Sequence, residues 1–539
     1  MSIHSTHRPG LLCGIALLLA TGNVLAQTAA QPSGESPQAA PAATAHDRQA
    51  NDAKAEDDKT PKRQWKIEPR LSITETFSDN ILLRNRDPRA DWVTDLAPGL
   101  RVSGEGKHLQ AYFDYSLHEM VYARNSNGRR SQNALNTFGK FEAVDNLLYL
   151  DWSGVIGQQN ISALGQQSAN PANVNANQTE TSSLRLSPYL KGRLGGSADY
   201  EVRYSTSILH TALNSASDIY QRGWTANIHG TTGLSWLLWG IDGDWQTASY
   251  SFGRESEAGH IGGKLTWMAD DNVRVSLLAG REENNFLSLD KESNVTYGIG
   301  LNWTPTPRTK IAAERVKRFF GTGHRFSFEH RTPRTVTSFS ESRDVAGTTT
   351  HNLGGGSIGN IYDLLYTQFA SIEPDPVNRA ALVNGFLLAN NIAPNTLITS
   401  GFLNSGPTLQ RMRNLAFSLV GARNTLTLVA AQSEIQRLGI LANGNEDLAN
   451  APTVRQRGFN VTLSHNLTPL THLNILGSQQ NSSALNSSQE TKMRTLSATL
   501  NSRIGARTSA SLGARRTLYQ SLGAPYSENA VIGTLSLQY

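Results

Sequence analysis

A single cysteine, Cys13, stands in the first apolar stretch of the chain. Disulfide frameworks and thiolate metal sites are thereby excluded from the remainder. Long apolar runs are missing as well. Beyond residue 26 no segment approaches the ~18–20 consecutive apolar residues of a spanning helix, which rules out a helical membrane protein. Charge is scarce, at 17% of residues with a formal net charge of +5, so no nucleic-acid partner is expected. His118, His229, His260, His330 and His465 fall in different predicted strands without metal-ligand spacing. No Gly-rich phosphate loop or nucleophile elbow is present, and no Ser–His pair can be placed together from sequence. No catalytic residue, metal or cofactor is therefore expected, and the chain is not read as an enzyme.

What is present points to a secreted all-β protein. His7 and Arg8 precede an apolar core, Leu11 to Ala20, and Val24-Leu25-Ala26 supplies small residues before Gln27. Residues 1–26 thus read as a signal peptide. Leu12-Cys13-Gly14 resembles a lipoprotein box only faintly, because the cysteine precedes most of the apolar core. Residues 27–64 are rich in Ala, Gln, Pro, Ser, Asp and Lys, and read as a disordered periplasmic leader. From Trp65 to Tyr539, 46 glycines in the whole chain and a mean hydropathy of −0.38 suit strands whose two faces average out.

Apolar and polar residues alternate over most of this length. Leu109, Ala111, Phe113, Tyr115 and Leu117 oppose Gln110, Asp114, Ser116 and His118. Val295, Tyr297, Ile299, Leu301 and Trp303 oppose Asn294, Thr296 and Asn302. Comparable segments recur near residues 150, 200, 240, 275 and 498. A period of two marks strands, and so many without a second hydrophobic layer call for lipid outside and water inside. Trp239, Trp245, Tyr297 and Trp303 are expected to face lipid.

Short turns, such as Ala269–Asn272 and Leu467–Thr471, alternate with longer polar loops, such as Gln159–Thr179 and Leu438–Thr453. The chain is thus expected to form a transmembrane antiparallel β-barrel of about 22 strands, in the range 18–22, in the outer membrane of a Gram-negative bacterium. Strand parity places an insertion, residues 345–409, on the external side. Within it Ile361, Leu364, Leu365 and Phe369, and then Ala380, Val383, Phe386 and Leu387, have helical spacing. A cap or plug and a plain surface loop fit it equally.

The polar faces carry both signs. The candidate pore-lining residues are Asp114, Asp151, Glu201, Arg203, Asp242, Asp244, Arg274, Glu314, Glu329, Arg331, Arg507 and Arg515. They could select solutes or only form a cross-strand ion-pair ladder. At the C-terminus, Val531, Leu535, Leu537 and Tyr539 share one face opposite Thr534, Ser536 and Gln538. This pattern is the expected barrel-closing signal for the barrel-assembly machinery.

Several local sequences resemble the outer-membrane barrels associated with PEP-CTERM/exosortase systems and exopolysaccharide gene clusters. They are Trp65, Pro69 and Glu75, Phe77-Ser78-Asp79-Asn80, Pro98-Gly99, Gln158-Gln159, Ile161-Ser162, His330-Arg331-Thr332-Pro333-Arg334, and Asp375-Pro376 with Arg379. The resemblance implies an outer-membrane protein encoded near polysaccharide synthesis and export, and carries no catalytic residues. Two functions follow as expectations. One is a passive pore or accessory component for exopolysaccharide export or hydrophilic solute passage. The other is a non-conducting barrel that anchors a periplasmic or surface partner. Outer-membrane lipid, the exopolysaccharide and its periplasmic export components are the expected partners.

Tyr539 can place its ring among apolar groups and its hydroxyl at the headgroups. Tyr539→Phe should assemble nearly as the parent does, while Tyr539→Asp should leave unfolded precursor in the periplasm. Fractionation measures this, and normal outer-membrane levels of the Asp variant would refute the closing role.

Overall fold

The computed structural model describes residues 64–124, 129–213, 217–346, 402–404, 406–439, 447–485 and 487–539. The signal peptide, the leader before Gln64 and the helical spacing at 361–387 lie outside them. The first strands are β1 (Gln64–Ser78), β2 (Asp91–Glu105), β3 (Leu109–Tyr122), β4 (Arg129–Val144), β5 (Leu148–Asn160), β6 (Gln178–Leu194) and β7 (Ala198–Thr211). Next come β8 (Ile219–Thr231), β9 (Leu237–Tyr250), β10 (Ser256–Asp270), β11 (Val273–Asn284), β12 (Glu292–Thr306), β13 (Thr309–Arg318), β14 (Gly321–Arg331) and β15 (Thr335–Ala346). The last are β16 (Thr408–Val420), β17 (Asn424–Arg437), β18 (Thr453–Thr468), β19 (Thr471–Ala484), β20 (Glu490–Arg503), β21 (Thr508–Ser521) and β22 (Tyr526–Gln538). One helical turn, α1 (Asp447–Asn450), lies between β17 and β18.

Each strand pairs antiparallel with the next, and β22 pairs with β1, so the 22-stranded sheet is closed. At the seam Leu535 lies opposite Ile73 and Val531 opposite Phe77, and the Tyr539 amide donates to Pro69 O at 2.9 Å. Closure leaves no edge strand in lipid, where unpaired backbone groups are costly. An even count brings both ends of the sheet to one rim. That rim holds the short connections, including the turn at 332–334 between β14 and β15. The opposite rim holds 79–90 and 161–177, and there β15 ends and β16 begins, as do β17 and β18. The insertion is narrower than expected, because Val345 and Ala346 finish β15 and Thr408 and Leu409 begin β16.

Local sequence explains the irregularities. Pro98 and Pro188 lack an amide proton, and the ladder is interrupted there on the β3 side and the β7 side respectively. The β4–β5 turn needs a left-handed residue and has Asn146 at φ 57°. Gly139 faces Trp152 across the β4–β5 pair, and a Cβ there would lie 2.1 Å from the indole. The ring covers backbone that no other side chain would shield.

The expected faces hold. Val295, Tyr297, Ile299 and Trp303 are exposed on the outer surface, whereas Thr296 is 3% exposed. Register puts Trp239, Ile241 and Trp245 on that same outer face. All strands but β13 and β14 have 12–17 residues and exceed the ~9–11 that a tilted strand needs to cross hydrocarbon, so their upper ends project beyond it.

Ile299→Lys places a charge toward the bilayer and should cost roughly 2–4 kcal/mol near the midplane. Thr296→Lys points into the lumen and should be milder. Heat-modifiable migration of unboiled samples would measure folded barrel, and equal losses would contradict the face assignment.

Candidate functional site

Alternation turns one side of every strand into the lumen wall. Most charged candidates lie there and are paired across strands. Asp114 accepts from Arg101 Nη2 at 2.9 Å, binds Arg70, and takes the Tyr112 hydroxyl at 3.2 Å. Arg203 bridges Asp151 at 2.8 Å and Glu201 at 3.0 Å, with its guanidinium 3.8 Å from the centre of the Tyr189 ring. Asp242 and Asp244 flank His260 at 3.3 and 3.6 Å, and Glu314 lies 4.0 Å from Lys264. Glu329 pairs with Arg331, and Arg515 with Glu528 at 3.4 Å. Arg274 lies on the inner face with no ion pair among the described residues. Arg507 corrects an expectation. It sits in the β20–β21 turn, where its carbonyl accepts the Gln538 amide at 2.9 Å, and it is not on the wall.

Sequence reasoning missed one three-strand inner bridge. Arg318 binds Glu282 at 2.7 Å and Asp344 at 2.8 Å, joining β11, β13 and β15. No local motif marks it, because the three residues meet only through register. Register likewise brings Asp95 of β2 to His118, which shares one face of β3 with Ser116 two residues away. His118 Nδ1 lies 2.8 Å from Asp95 and Nε2 3.2 Å from Ser116 Oγ. That is the connectivity of a nucleophile and its base. Ser116 is only 8% exposed, however, so the chain braces β2 against β3 rather than presenting a nucleophile.

A second arc of the wall differs in chemistry. Between its ends, the inner face of β16–β20 carries no charged side chain. Asn414, Asn460, Asn474, Ser478, Ser497 and Thr499 stand along it. Gln456 accepts from Ser433 at 3.4 Å and donates to Ser482 at 3.4 Å, which links β17, β18 and β19. Thr495 and Thr517 face each other across β20–β21, each with a buried hydroxyl that has no hydrogen-bond partner among the described residues.

The external mouth is crossed by residues 161–177. Ser162 Oγ accepts the Leu164 and Gly165 amides at 3.1 and 3.0 Å, which starts a tight turn. The segment then reaches β3, β21 and β22, on either side of the seam. Its carbonyls at Gly165, Gln167 and Ala172 accept from the hydroxyls of Tyr519 (2.8 Å), Tyr526 (2.6 Å) and Tyr122 (2.8 Å). Buried backbone carbonyls need donors, and a tyrosine supplies one at the tip of a long apolar side chain. Ile81 and Leu83 of the 79–90 loop pack beneath, Ile81 with Met120 and Tyr122, and Leu83 with Met493, Tyr519 and Tyr526. At the other end, Asp447 of α1 accepts from Ser162 Oγ at 2.5 Å and from the Ala163 amide at 2.6 Å. Burial pushes the Asp447 carboxyl up, against the pull of these donors. Leu403 donates to Asn160 O at 3.2 Å, so the last described part of the insertion docks where this segment begins.

The sequence places a lipid-facing belt on a closed barrel, and the chain is an outer-membrane protein. No protein-family model and no curated protein matches it. Among solved structures it is similar to the FrpB iron transporter from Neisseria meningitidis, at 10% identity and a TM-score of 0.48 over 88% of this chain and 82% of that one. It is also similar to the siderophore receptor PirA from Pseudomonas aeruginosa, at 8% identity and a TM-score of 0.43 over 88% and 80%. The likeness concerns the barrel and carries no argument about cargo. The fold rests on the strand register.

Asp447→Ala removes both tethers of the crossing segment at β17–β18. With charge-assisted hydrogen bonds worth roughly 1.5–3 kcal/mol each, amides 163–165 should exchange at least about ten-fold faster. Hydrogen-exchange mass spectrometry measures this, with unchanged protection of β5 and β6 as the control.

Proposed function

We propose that the barrel is a passive conduit across the outer membrane for a hydrophilic, uncharged polymer or solute. An exopolysaccharide is the polymer that the family resemblance implies. The observation that supports this is the uncharged arc of β16–β20. Amides and hydroxyls exchange hydrogen bonds with sugar hydroxyls at little net cost, and no ion holds the chain in place. The opposite wall carries charge, but its ions are mostly neutralised by their neighbours, as at Asp114 and Arg203. A wall of this kind offers passage without strong ion selectivity. Periplasmic export components are the proposed partners on the short-turn side, and the assembly machinery delivers the barrel. No chemical step is assigned.

A second reading is favoured by one observation. The segment 161–177 is anchored on several walls at once, which suits a non-conducting barrel that anchors a partner.

Single-channel recording in planar bilayers separates the two. The conduit should give current steps with weak ion selectivity, interrupted by added neutral oligosaccharide. Ser478→Asp, Ser497→Asp and Thr499→Asp together should make it cation-selective and shorten the interruptions several-fold. Absence of steps both in the full chain and after deletion of residues 162–176 would refute the conduit and leave the anchoring reading.

A further inference from the structure

The outer surface of β16, β18 and β20 differs from that of β12. On β12 apolar residues run along the outer face from Trp303 to Val295. On β16 the apolar face ends at Leu415, and Arg413 and Arg411 follow. On β18 it ends at Phe459, and Arg457 and Arg455 follow. On β20 it ends at Leu496, and Arg494 and Lys492 follow.

Register makes these one patch. Arg411 and Arg413 lie opposite Glu434 and Gln432 of β17, which lie opposite Arg455 and Arg457 of β18. Arg457 lies opposite Asn481 of β19, and Asn481 opposite Lys492. Arg343 of β15 and Arg516 of β21 extend the patch on either side. The cations begin where a tilted strand has used most of the ~9–11 residues that cross hydrocarbon, which is the level of the external headgroups.

Carboxylates within the patch do not balance it. Glu341 is shared by Arg411 at 2.7 Å, Arg413 at 3.1 Å and His324 at 3.4 Å, and Glu434 pairs with Arg455 at 2.9 Å. Arg457, Lys492 and Arg494 have no ion pair among the described residues. Some cations elsewhere on the outer rim are matched, Arg129 by Glu119 at 2.8 Å and Lys291 by Glu257 at 2.6 Å. A guanidinium at the edge of hydrocarbon needs an anion there, and its planar fork fits phosphate oxygens two at a time.

We propose that the outer face of β15–β21 is a binding surface for phosphorylated glycolipid headgroups of the external leaflet. Glu341 and Glu434 hold the guanidinium groups side by side, and the surplus cations take the phosphates. The lipid's acyl chains then lie along Leu415, Phe459 and Leu496. The surface is on the opposite side of the wall from the lumen and does not depend on what the lumen conducts.

The test uses the full chain extracted from outer membranes in mild detergent. Native mass spectrometry reads retained glycolipid, and thermal melting reads the response to vesicles. The wild type should retain phosphorylated glycolipid and melt higher with vesicles of a bis-phosphorylated glucosamine lipid. Vesicles of the same lipid without phosphates, and inorganic phosphate alone, should give little shift. Arg411→Gln, Arg413→Gln, Arg457→Gln and Lys492→Gln combined should cut retention at least ten-fold, while Arg129→Gln should leave it unchanged. Equal retention by the fourfold variant, an equal shift with the dephosphorylated lipid, or a full shift with inorganic phosphate would each overturn the proposal. If the fourfold variant loses heat-modifiability, the comparison of the two lipids on the wild type decides.

Discussion

Every part of this structure depends on one constraint, that no backbone amide or carbonyl may be left unpaired in lipid. A sheet meets it only by closing, so the β1–β22 seam is the contact on which the rest stands. Side chains reinforce the ladder there. Thr74 and Thr534 hydrogen-bond at 3.0 Å, Ser78 donates to Glu528 at 2.8 Å, and Asn529 donates to both carboxylate oxygens of Asp79. Asn80 Nδ2 reaches Ser527 O at 3.0 Å and also fixes the start of the 79–90 loop through Arg84 O. The Phe77-Ser78-Asp79-Asn80 sequence therefore closes the barrel and launches a loop into its mouth.

Closure separates two environments, and the same strands meet them differently around the wall. From β1 to β15 the lumen side carries ions of both signs in short networks, as at Asp114 and Arg318. From β16 to β20 the lumen side is nearly uncharged and the cations stand outside. The period of two makes this possible, since a strand can hold unrelated chemistry on its two faces. Ions inside are satisfied by neighbours and water, whereas ions outside at the edge of hydrocarbon are satisfied only by what the leaflet supplies.

The external mouth follows a different logic. Residues 161–177 form no strand, so their backbone must find partners one by one. Tyr122, Tyr519 and Tyr526, from three strands, supply hydroxyl donors, and Asp447 supplies an acceptor. The apolar clusters around Ile81, Leu83 and Ala163 exclude water beside these bonds and so strengthen them.

Alternation, turn length and parity, all local, were enough to mark the strands, an even count of about 22, the rim that bears the insertion and which side chains face lipid, whereas the exact count came from the closed sheet. Ile299 and Thr296 illustrate this, because a one-residue offset in a strand reverses the face. Several features could be decided only by tertiary structure. Asp95 with His118, Glu282 with Arg318, and Tyr526 with Gln167 O join residues far apart in sequence whose distance depends on register around the whole barrel. The loop at 161–177 reads as an ordinary external connection, yet it turns inward because its buried carbonyls find tyrosines on other strands. Arg507 reads as wall and lies in a turn, one position short of β21. The outer arginine patch likewise exists only once β16, β18 and β20 are aligned, since each strand alone holds just two of its cations. Periodicity fixes a face along one strand, whereas a site is made of neighbours across strands, and only the closed ladder sets those.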